Sequence, residues 1–462
     1  MLPEMKNVFQ LPASFKDPSG FIFQFNGQHY RQVNESYAAN YDLLRSSGLY
    51  SLLTENKWLI PHIEIDETRS GLPGWYKTLL PEQLSFTSYP YEWCFDQLKD
   101  AALLTLNIMK SAVDYGMILK DANAFNVQFH KGRTVFIDTL SFEKYDASRP
   151  WVAYRQFCEC FLFPLLLGHY LAVDIQKLLS VYLEGIPVKT AAALLPVKSR
   201  FKLSVWLHVY LQDSLSAGRA PGRQKQVNFS KEKLMRLIDH LESTIRPLQM
   251  NQASYSAWNN YYGGSIPGKN YLEEKAHIFR SIIQGINHGR SLDLGCNDGY
   301  FSKILAEENP NVVAVDFDNQ CINHLYRSIK NDALDGIYPI CMDLCNPSPA
   351  LGFGQEERQS FSERARSDLV CALALIHHLV LGKNIPLQGV AKEMCRLTKK
   401  NLVIEFVPLD DEKAQQLTIN KSTYHKPYDT LAFEKAFLVY FAIEQCKKIP
   451  GTNRVLYLMR RT

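Results

Sequence analysis

With 462 residues, 46% hydrophobic and 21% charged, the chain is globular and long enough for two or three domains. Its formal charge of +4 is slight for that length, so no global field points to nucleic acid or an anionic membrane. The opening Met1-Leu-Pro-Glu-Met-Lys lacks the apolar run of a secretory signal, and ten cysteines without zinc-ligand spacing read as reduced thiols in the cytoplasm, with no metal site.

In chain order, Phe21 to Val33 alternates on both sides of Asn26-Gly27 and predicts a β-hairpin. A helical run from Gln97 to Tyr115 leads into Asp121-Ala-Asn-Ala-Phe-Asn126, a Lys131-Gly132 turn, and a strand ending in Asp138. That Asp-x-x-x-x-Asn spacing with a second strand-end Asp resembles the catalytic loop and metal-binding Asp of kinase-like phosphotransferases. Asp121 is preceded by Leu-Lys rather than His-Arg, Asp138 is followed by Thr-Leu rather than Phe-Gly, and no glycine-rich phosphate loop stands upstream. The reading preferred here is that Asp121, Asn126 and Asp138 tie loops to backbone N–H groups. Phe157–Val173 is the most apolar stretch, but Glu159, Pro164 and His169 and its shortness make it a buried helix and not a membrane span.

Ser214 to Lys225 is small, basic and turn-rich, as an exposed linker should be, and Ser230 caps an amphipathic helix to about Ile245. These features predict an N-terminal α+β module over 1–213, a linker and helix over 214–250, and a further domain over 251–462. Trp258 to Tyr271 is aromatic and glycine-rich; a lid over a ligand, at 255–271, is preferred to an ordinary surface loop.

The most informative stretch is Ser291-Leu-Asp293-Leu294-Gly295-Cys296-Asn297-Asp-Gly299-Tyr300, a strand that opens through a glycine turn into a helix. Gly295 and Gly299 allow positive φ and close approach of a ligand to bare backbone. The next strand ends in Asp316-Phe317, placed to take two ribose hydroxyls. Dinucleotide enzymes need G-x-G-x-x-G beneath a pyrophosphate; here the spacing is Gly-x-Asn-x-Gly, and Asp293 would repel a diphosphate but suits a ligand with an amino group and a sulfonium. Cys296 reads as a small residue beneath that ligand, not as a reactive thiol.

Strands over Leu292–Leu294, Val312–Val315, Tyr338–Met342, Leu369–Ala374 and Leu402–Val407 alternate with helices, and a closing hairpin pairs Ala442–Ile449 with Arg454–Met459. The fold class is therefore α/β, a Rossmann-like seven-stranded sheet whose ligand sits at the strands' carboxyl ends. Asp343 and Leu344 end the third strand, Ala372 and Leu373 the fourth, followed by His377 and His378, and Glu405 the fifth. Either histidine, or Glu405, could serve as general base, or a histidine could simply cap the helix it starts.

The glycine loop resembles motif I of class I S-adenosylmethionine-dependent methyltransferases, in the variant with Asn for the middle Gly. Nearly the full length is similar to a bacterial two-part family of nodulation-protein-type or uncharacterised methyltransferases, on blocks such as Ser88-Tyr-Pro-Tyr-Glu-Trp93, Phe136-Ile-Asp-Thr-Leu-Ser-Phe142, Leu373-Ala-Leu-Ile-His-His-Leu379 and Val403-Ile-Glu-Phe-Val-Pro408. The resemblance implies S-adenosylmethionine as cofactor, held by Asp293, Leu294, Gly295, Cys296, Asn297, Gly299, Tyr300, Asp316, Phe317, Asp343, Leu344, Ala372 and Leu373. It implies methyl transfer by in-line displacement but not the substrate; the expected acceptor is an oxygen, ahead of a carbon or nitrogen, of a small molecule or glycan precursor. A cofactor-sensing protein without turnover stays open, as does an RNA methyltransferase, although no arginine-rich tract or paired aromatic surface accompanies the loop. Oligomeric state is not legible.

Overall fold

The computed structural model describes residues 9–217, 229–251, 268–419 and 427–462. The chain divides into two compact units, residues 1–255 with 350–359, and residues 256–349 with 360–462. Most of the expected linker, and the expected lid before Gly268, lie outside the described residues.

The first unit opens on five strands: β1 (Phe9–Gln10), β2 (Gly20–Phe25), β3 (Gln28–Asn34), β4 (His62–Ile65) and β5 (Trp75–Pro81). They form one antiparallel sheet in the order β1-β2-β3-β5-β4. The β2–β3 hairpin turns at Asn26 and Gly27, both with positive φ, as the Asn-Gly pair demands. Phe23, Val33, Tyr37, Tyr41 and Leu79 are buried. The helix Phe95–Asp114 buries twelve side chains along its length, which explains why an apolar run of that period cannot stay at the surface.

Beyond that helix come β6 (Met117–Leu119), the hairpin β7 (Val127–His130) to β8 (Arg133–Phe136), and β9 (Phe142–Lys144). The apolar stretch is a buried helix in three pieces, α over Tyr154–Phe157, π over Cys158–Leu162 and α over Phe163–Tyr170, and it stops short of the expected Val173, which is exposed. Pro164 has no N–H for the Cys160 carbonyl, and the wider π turn sits just before it. Among the described residues no helix is long and apolar enough to cross a membrane. Ser230 caps the helix Lys231–Ile245 through the Lys233 N–H, and the helix buries Leu234, Ile238, Leu241 and Ile245. Lys110 on Phe95–Asp114 pairs with Asp239 (2.6 Å) and with Glu242. The segment 350–359 joins this unit through Lys16–Glu357 at 3.0 Å and Arg358 stacked 4.1 Å from the Phe125 ring centroid.

The loop residues that resemble a phosphotransferase lie together, but their side chains are engaged. Asp121 accepts from the Asn123 N–H at 3.1 Å, and Asp138 accepts from the Leu140 N–H at 3.3 Å, from Ser141 and from Arg31 on β3. Asn126 donates to the Ser141 hydroxyl at 3.2 Å. Burial, and after it Asp138, raises the pKa of Asp121. Arg31, unread in the sequence, is the cation that balances Asp138.

The second unit holds a seven-stranded sheet: β10 (Ser291–Leu294), β11 (Val312–Asp316), β12 (Ile337–Cys341), β13 (Ser367–Ala372), β14 (Thr398–Phe406), β15 (Phe441–Lys448) and β16 (Val455–Arg461). Its order is β12-β11-β10-β13-β14-β16-β15, with the first five strands parallel and β16 inserted antiparallel. The seven-stranded α/β sheet and closing hairpin are as the sequence predicts. Helices Gly268–Ile283, Tyr300–Glu308, Asn319–Asn331 and Leu387–Leu397 flank the sheet. β10, β11 and β12 are buried at every position, the signature of parallel strands covered on both faces. The outer strands are β12, which contains Pro339, and β15, which is bulged between Ile443 and Gln445.

Filled bonding positions around Asp138 lead to a direct expectation. Asp138→Asn should lower unfolding free energy by about 1.5–3 kcal/mol, the scale of hydrogen bonds to a charged group, as read by urea titration. Magnesium with ATP should leave the melting temperature of the unaltered protein in place; a magnesium-dependent shift lost in Asp138→Asn would mark a live nucleotide site instead.

Candidate active site

Strand order reverses between β10 and β13, and in an open parallel sheet the crevice outside the carboxyl ends at that point is where ligands bind. The residues that the sequence assigns to the cofactor and the base lie at or just after the carboxyl ends of β10, β11, β12, β13 and β14. β10 ends in Asp293 and Leu294, and the chain then turns through Gly295 (φ +73°), Asn297 (φ +53°) and Gly299 (φ +83°) into the helix Tyr300–Glu308. A Cβ at Gly295 would sit 3.2 Å from Leu375, and one at Gly299 only 2.4 Å from Leu325. The turn is thus fixed to its neighbours by the lack of side chains, and the helix N-terminus opens toward the crevice.

Two carboxylates flank the turn. Asp293 is almost wholly buried and accepts from the Ser302 hydroxyl at 2.6 Å. Asp316, at the end of β11, accepts from the Asn297 N–H and the Asp318 N–H, each at 2.9 Å. Asp316 therefore ties the glycine loop to its own strand while staying at the crevice. Burial pushes both acids up to about 6. Two such acids beside a glycine turn disfavour an anionic ligand and favour one that brings hydroxyl, ammonium or sulfonium groups. The residues present fit S-adenosylmethionine in this respect and do not fit a diphosphate.

Cys296 is buried, and burial raises its thiol pKa well above the ordinary value, so it is inert packing beneath the turn. Phe317 is 55% exposed beside Asp316, Asp343 accepts from the Cys345 N–H at 2.8 Å at the end of β12, and Leu344 is half-buried beside it. Ala372 and Leu373 are buried where β13 ends, and Ala374 takes φ +51°. A left-handed alanine costs about 1 kcal/mol or more; it redirects the chain so that Leu375 covers Gly295 and His377 turns inward.

His377 is fully buried, and neither of its ring nitrogens has a hydrogen-bond partner among the described residues. Its ring lies 4.1 Å, centroid to centroid, from that of His378. Burial, with His378 second, holds the His377 pKa well below the ordinary value, and burial brings His378 down to about 4. Both imidazoles are neutral at pH 7.

Glu405 stands differently from the expectation that it could be a base. It is fully buried on β14, with Lys275 at 2.5 Å, the Tyr271 hydroxyl at 3.1 Å and Arg454 at 3.4 Å. Burial works to raise its pKa, but Lys275 and Arg454 win and hold it below the usual carboxylate value. Its carboxylate oxygens are taken up by two cations and a hydroxyl and are not offered to a substrate, so it is withdrawn from the candidate bases. Arg454 also forms a two-pronged pair with Asp411 (2.7 and 2.9 Å) and donates to the Tyr271 hydroxyl at 2.9 Å. The sequence reading missed Lys275 and Arg454 and took Tyr271 as the end of a lid, whereas it is a buried residue of the helix Gly268–Ile283. A signal existed in the spacing of Tyr271 and Lys275, one helical turn apart on the inward face of Gly268–Ile283.

Residues 271–432 match the model of a family described as Methyltransferase domain. Nodulation protein NoeA of Rhizobium meliloti (strain 1021) is 29% identical over 463 residues, covering 98% of this chain and 96% of that protein. Among solved structures, N-methyltransferase NodS from Bradyrhizobium japonicum WM9 aligns at 12% identity over 42% of this chain and 99% of its own, with a TM-score of 0.32. Magnesium protoporphyrin IX methyltransferase (ChlM) from Synechocystis PCC 6803, with bound SAH, aligns at 14% identity over 44% and 92%, with a TM-score of 0.33. With the strand order, the glycine turn and its two acids already in place, residues 271–432 are an S-adenosylmethionine-dependent methyltransferase domain, in a chain similar along nearly its whole length to nodulation protein NoeA.

Proposed function

We propose that the protein methylates a hydroxyl oxygen of a small molecule or glycan precursor. The observation that carries this reading is His377: a buried, neutral imidazole whose two nitrogens have no partner among the described residues, in the segment that follows β13. A buried polar group left unpaired costs about 1–3 kcal/mol, and a hydroxyl brought against it would remove that cost. Transfer to a hydroxyl requires loss of a proton, whereas a neutral amine can attack without a base; a neutral histidine therefore favours an oxygen acceptor.

The residues take these roles. Asp316 receives the ribose hydroxyls, and Asp293 sets the negative potential beneath the turn. Leu294, Gly295, Cys296, Asn297, Gly299 and Tyr300 form the bed for the methionine portion, with Leu373 and Ala372 beside it. Phe317, Asp343 and Leu344 flank the adenine. When bound, the cofactor supplies an electrophilic methyl group on a sulfonium. The chain aligns the acceptor and takes its proton at a His377 ring nitrogen, with His378 packed against that ring. Glu405 holds Tyr271, Lys275 and Arg454 in place and touches no reacting atom.

The acidity of the two carboxylates has a sign that can be measured. Their pKa values of about 6 lie above the ordinary ~3.9 of an aspartate. The folded state thus binds more protons between roughly pH 4 and 6, and their contribution to the stability of the ligand-free protein is lost as pH rises through that window. Ribose hydroxyls donate best to the ionised form. Affinity for S-adenosylhomocysteine should therefore rise about tenfold from pH 5 to pH 7, and calorimetry should show most of that slope vanish in Asp316→Asn. At pH 7, Asp316→Ala should weaken binding by about 1.5–3 kcal/mol. An unchanged dissociation constant in a folded variant would remove Asp316 from the site.

For the base, His377→Gln should reduce turnover about 100-fold while S-adenosylhomocysteine affinity stays within twofold. Release of S-adenosylhomocysteine across a panel of hydroxyl-bearing acceptors supplies the assay. Normal turnover by His377→Gln together with loss in His378→Gln would move the role by one residue; normal turnover in both would leave positioning alone.

A further inference from the structure

The helical part of the first unit carries an apolar and basic surface of its own. Between Gly185 and Asp213 there is no acidic residue, while Lys189, Lys198, Arg200 and Lys202 fall within it. Interleaved with these cations are large apolar side chains that stand out in water: Phe201 is 86% exposed, Leu203 69%, Val197 68% and Trp206 42%. Single exposed apolar residues are ordinary, but four within ten positions of one turn are not.

This surface is a built platform. The 3₁₀ turn Val197–Phe201 is pinned from below by Ser199, fully buried, whose hydroxyl meets the Tyr210 hydroxyl at 2.7 Å. The Arg200 guanidinium lies 4.9 Å from the Tyr210 ring centroid. Lys202 donates its N–H to Ser199 at 3.1 Å, and the Trp206 N–H reaches Lys202 at 2.9 Å. Leu195, Val205 and Val209 face inward and anchor the segment, so the outward side chains cannot simply fold back into the core.

We infer that this platform docks the protein peripherally on an anionic lipid surface, with Val197, Phe201, Leu203 and Trp206 dipping into the headgroup–acyl boundary. Lys198, Arg200 and Lys202 lie at headgroup level. Long cationic side chains extend their charge upward while their stems stay with apolar neighbours, and tryptophan favours that interface. Charge complementarity selects the lipid over a protein partner. A protein interface of this size would be depleted in lysine at its centre, whereas here the cations alternate with the apolar residues themselves. The absence of any acid across the stretch removes repulsion from anionic headgroups. No part of the chain has to cross the bilayer.

Co-sedimentation of the full chain with large unilamellar vesicles tests the proposal. Vesicles of phosphatidylcholine with 30% phosphatidylglycerol, an arbitrary composition of roughly physiological anionic content, should bind at least about tenfold better than pure phosphatidylcholine. The double substitution Lys198→Gln with Lys202→Gln should weaken that binding roughly 30-fold, and Phe201→Glu with Leu203→Glu should abolish it. S-adenosylhomocysteine affinity and melting temperature should stay unchanged in both variants, since the altered side chains are exposed. The proposal is overturned if neither vesicle binds, or if the variants sediment like the unaltered protein. It is equally overturned if Phe201→Glu with Leu203→Glu instead turns a dimer seen by light scattering into a monomer, which would assign the face to a second copy of the chain.

Discussion

A carboxylate held dry between two cations organises the working edge of the second unit. Glu405 has no contact with water, and it is kept there by Lys275, Arg454 and the Tyr271 hydroxyl. Lys275 and Tyr271 come from a helix that precedes the sheet and Arg454 from the residue just before the last strand, while Glu405 itself lies on β14. The network therefore fixes the helix Gly268–Ile283 against strands that follow it by well over a hundred residues. Such clusters give little net stability, because desolvation offsets attraction, yet loss of one member strands the others and costs about 3–5 kcal/mol. Their value lies in allowing only one arrangement. Lys275 also lies 4.8 Å from the Phe301 ring centroid, so the same cation positions the helix that begins at the glycine turn.

Much of this edge was legible in the sequence. Gly295, Gly299 and the strand-end Asp293 and Asp316 announce themselves, since few residue types tolerate the backbone or the burial those positions impose. The parallel strands were readable for the same reason, as short apolar runs without alternation. β14 begins earlier than expected, at Thr398, because Thr398-Lys399-Lys400-Asn401 looks like a loop, and pairing with β13 overrides that local polarity. The ion network could not be read. A lysine in an amphipathic helix and an arginine beside a turn look like surface charges, and only folding reveals that Glu405 waits between them. Ala374 was hidden too, because alanine gives no hint of a left-handed backbone; the strain is imposed by neighbours.

The first unit shows the converse case. Its hairpins, its long helix and the capped helix after the linker follow from local patterns, and Asn26-Gly27 and Lys131-Gly132 both take the positive φ values that tight hairpins require. The Asp121–Asp138 loop was the ambiguous part. Spacing alone cannot distinguish side chains offered to a ligand from side chains spent on the loop. Arg31 decides what Asp138 does in the folded chain, and it lies more than a hundred residues upstream, on a strand whose alternation says nothing about a partner.

The two outer strands of the seven-stranded sheet bear on how the protein behaves in a crowded solution. An open sheet offers a row of unpaired backbone groups at each margin, a template on which other chains can stack. On one margin Pro339 takes away a donor from the middle of β12. On the other, β15 is bulged, and it turns Glu444, Gln445 and Lys448 toward water. Each margin is thus a poor match for a second copy of itself. A sheet with such margins discourages edge-to-edge stacking between copies of the chain.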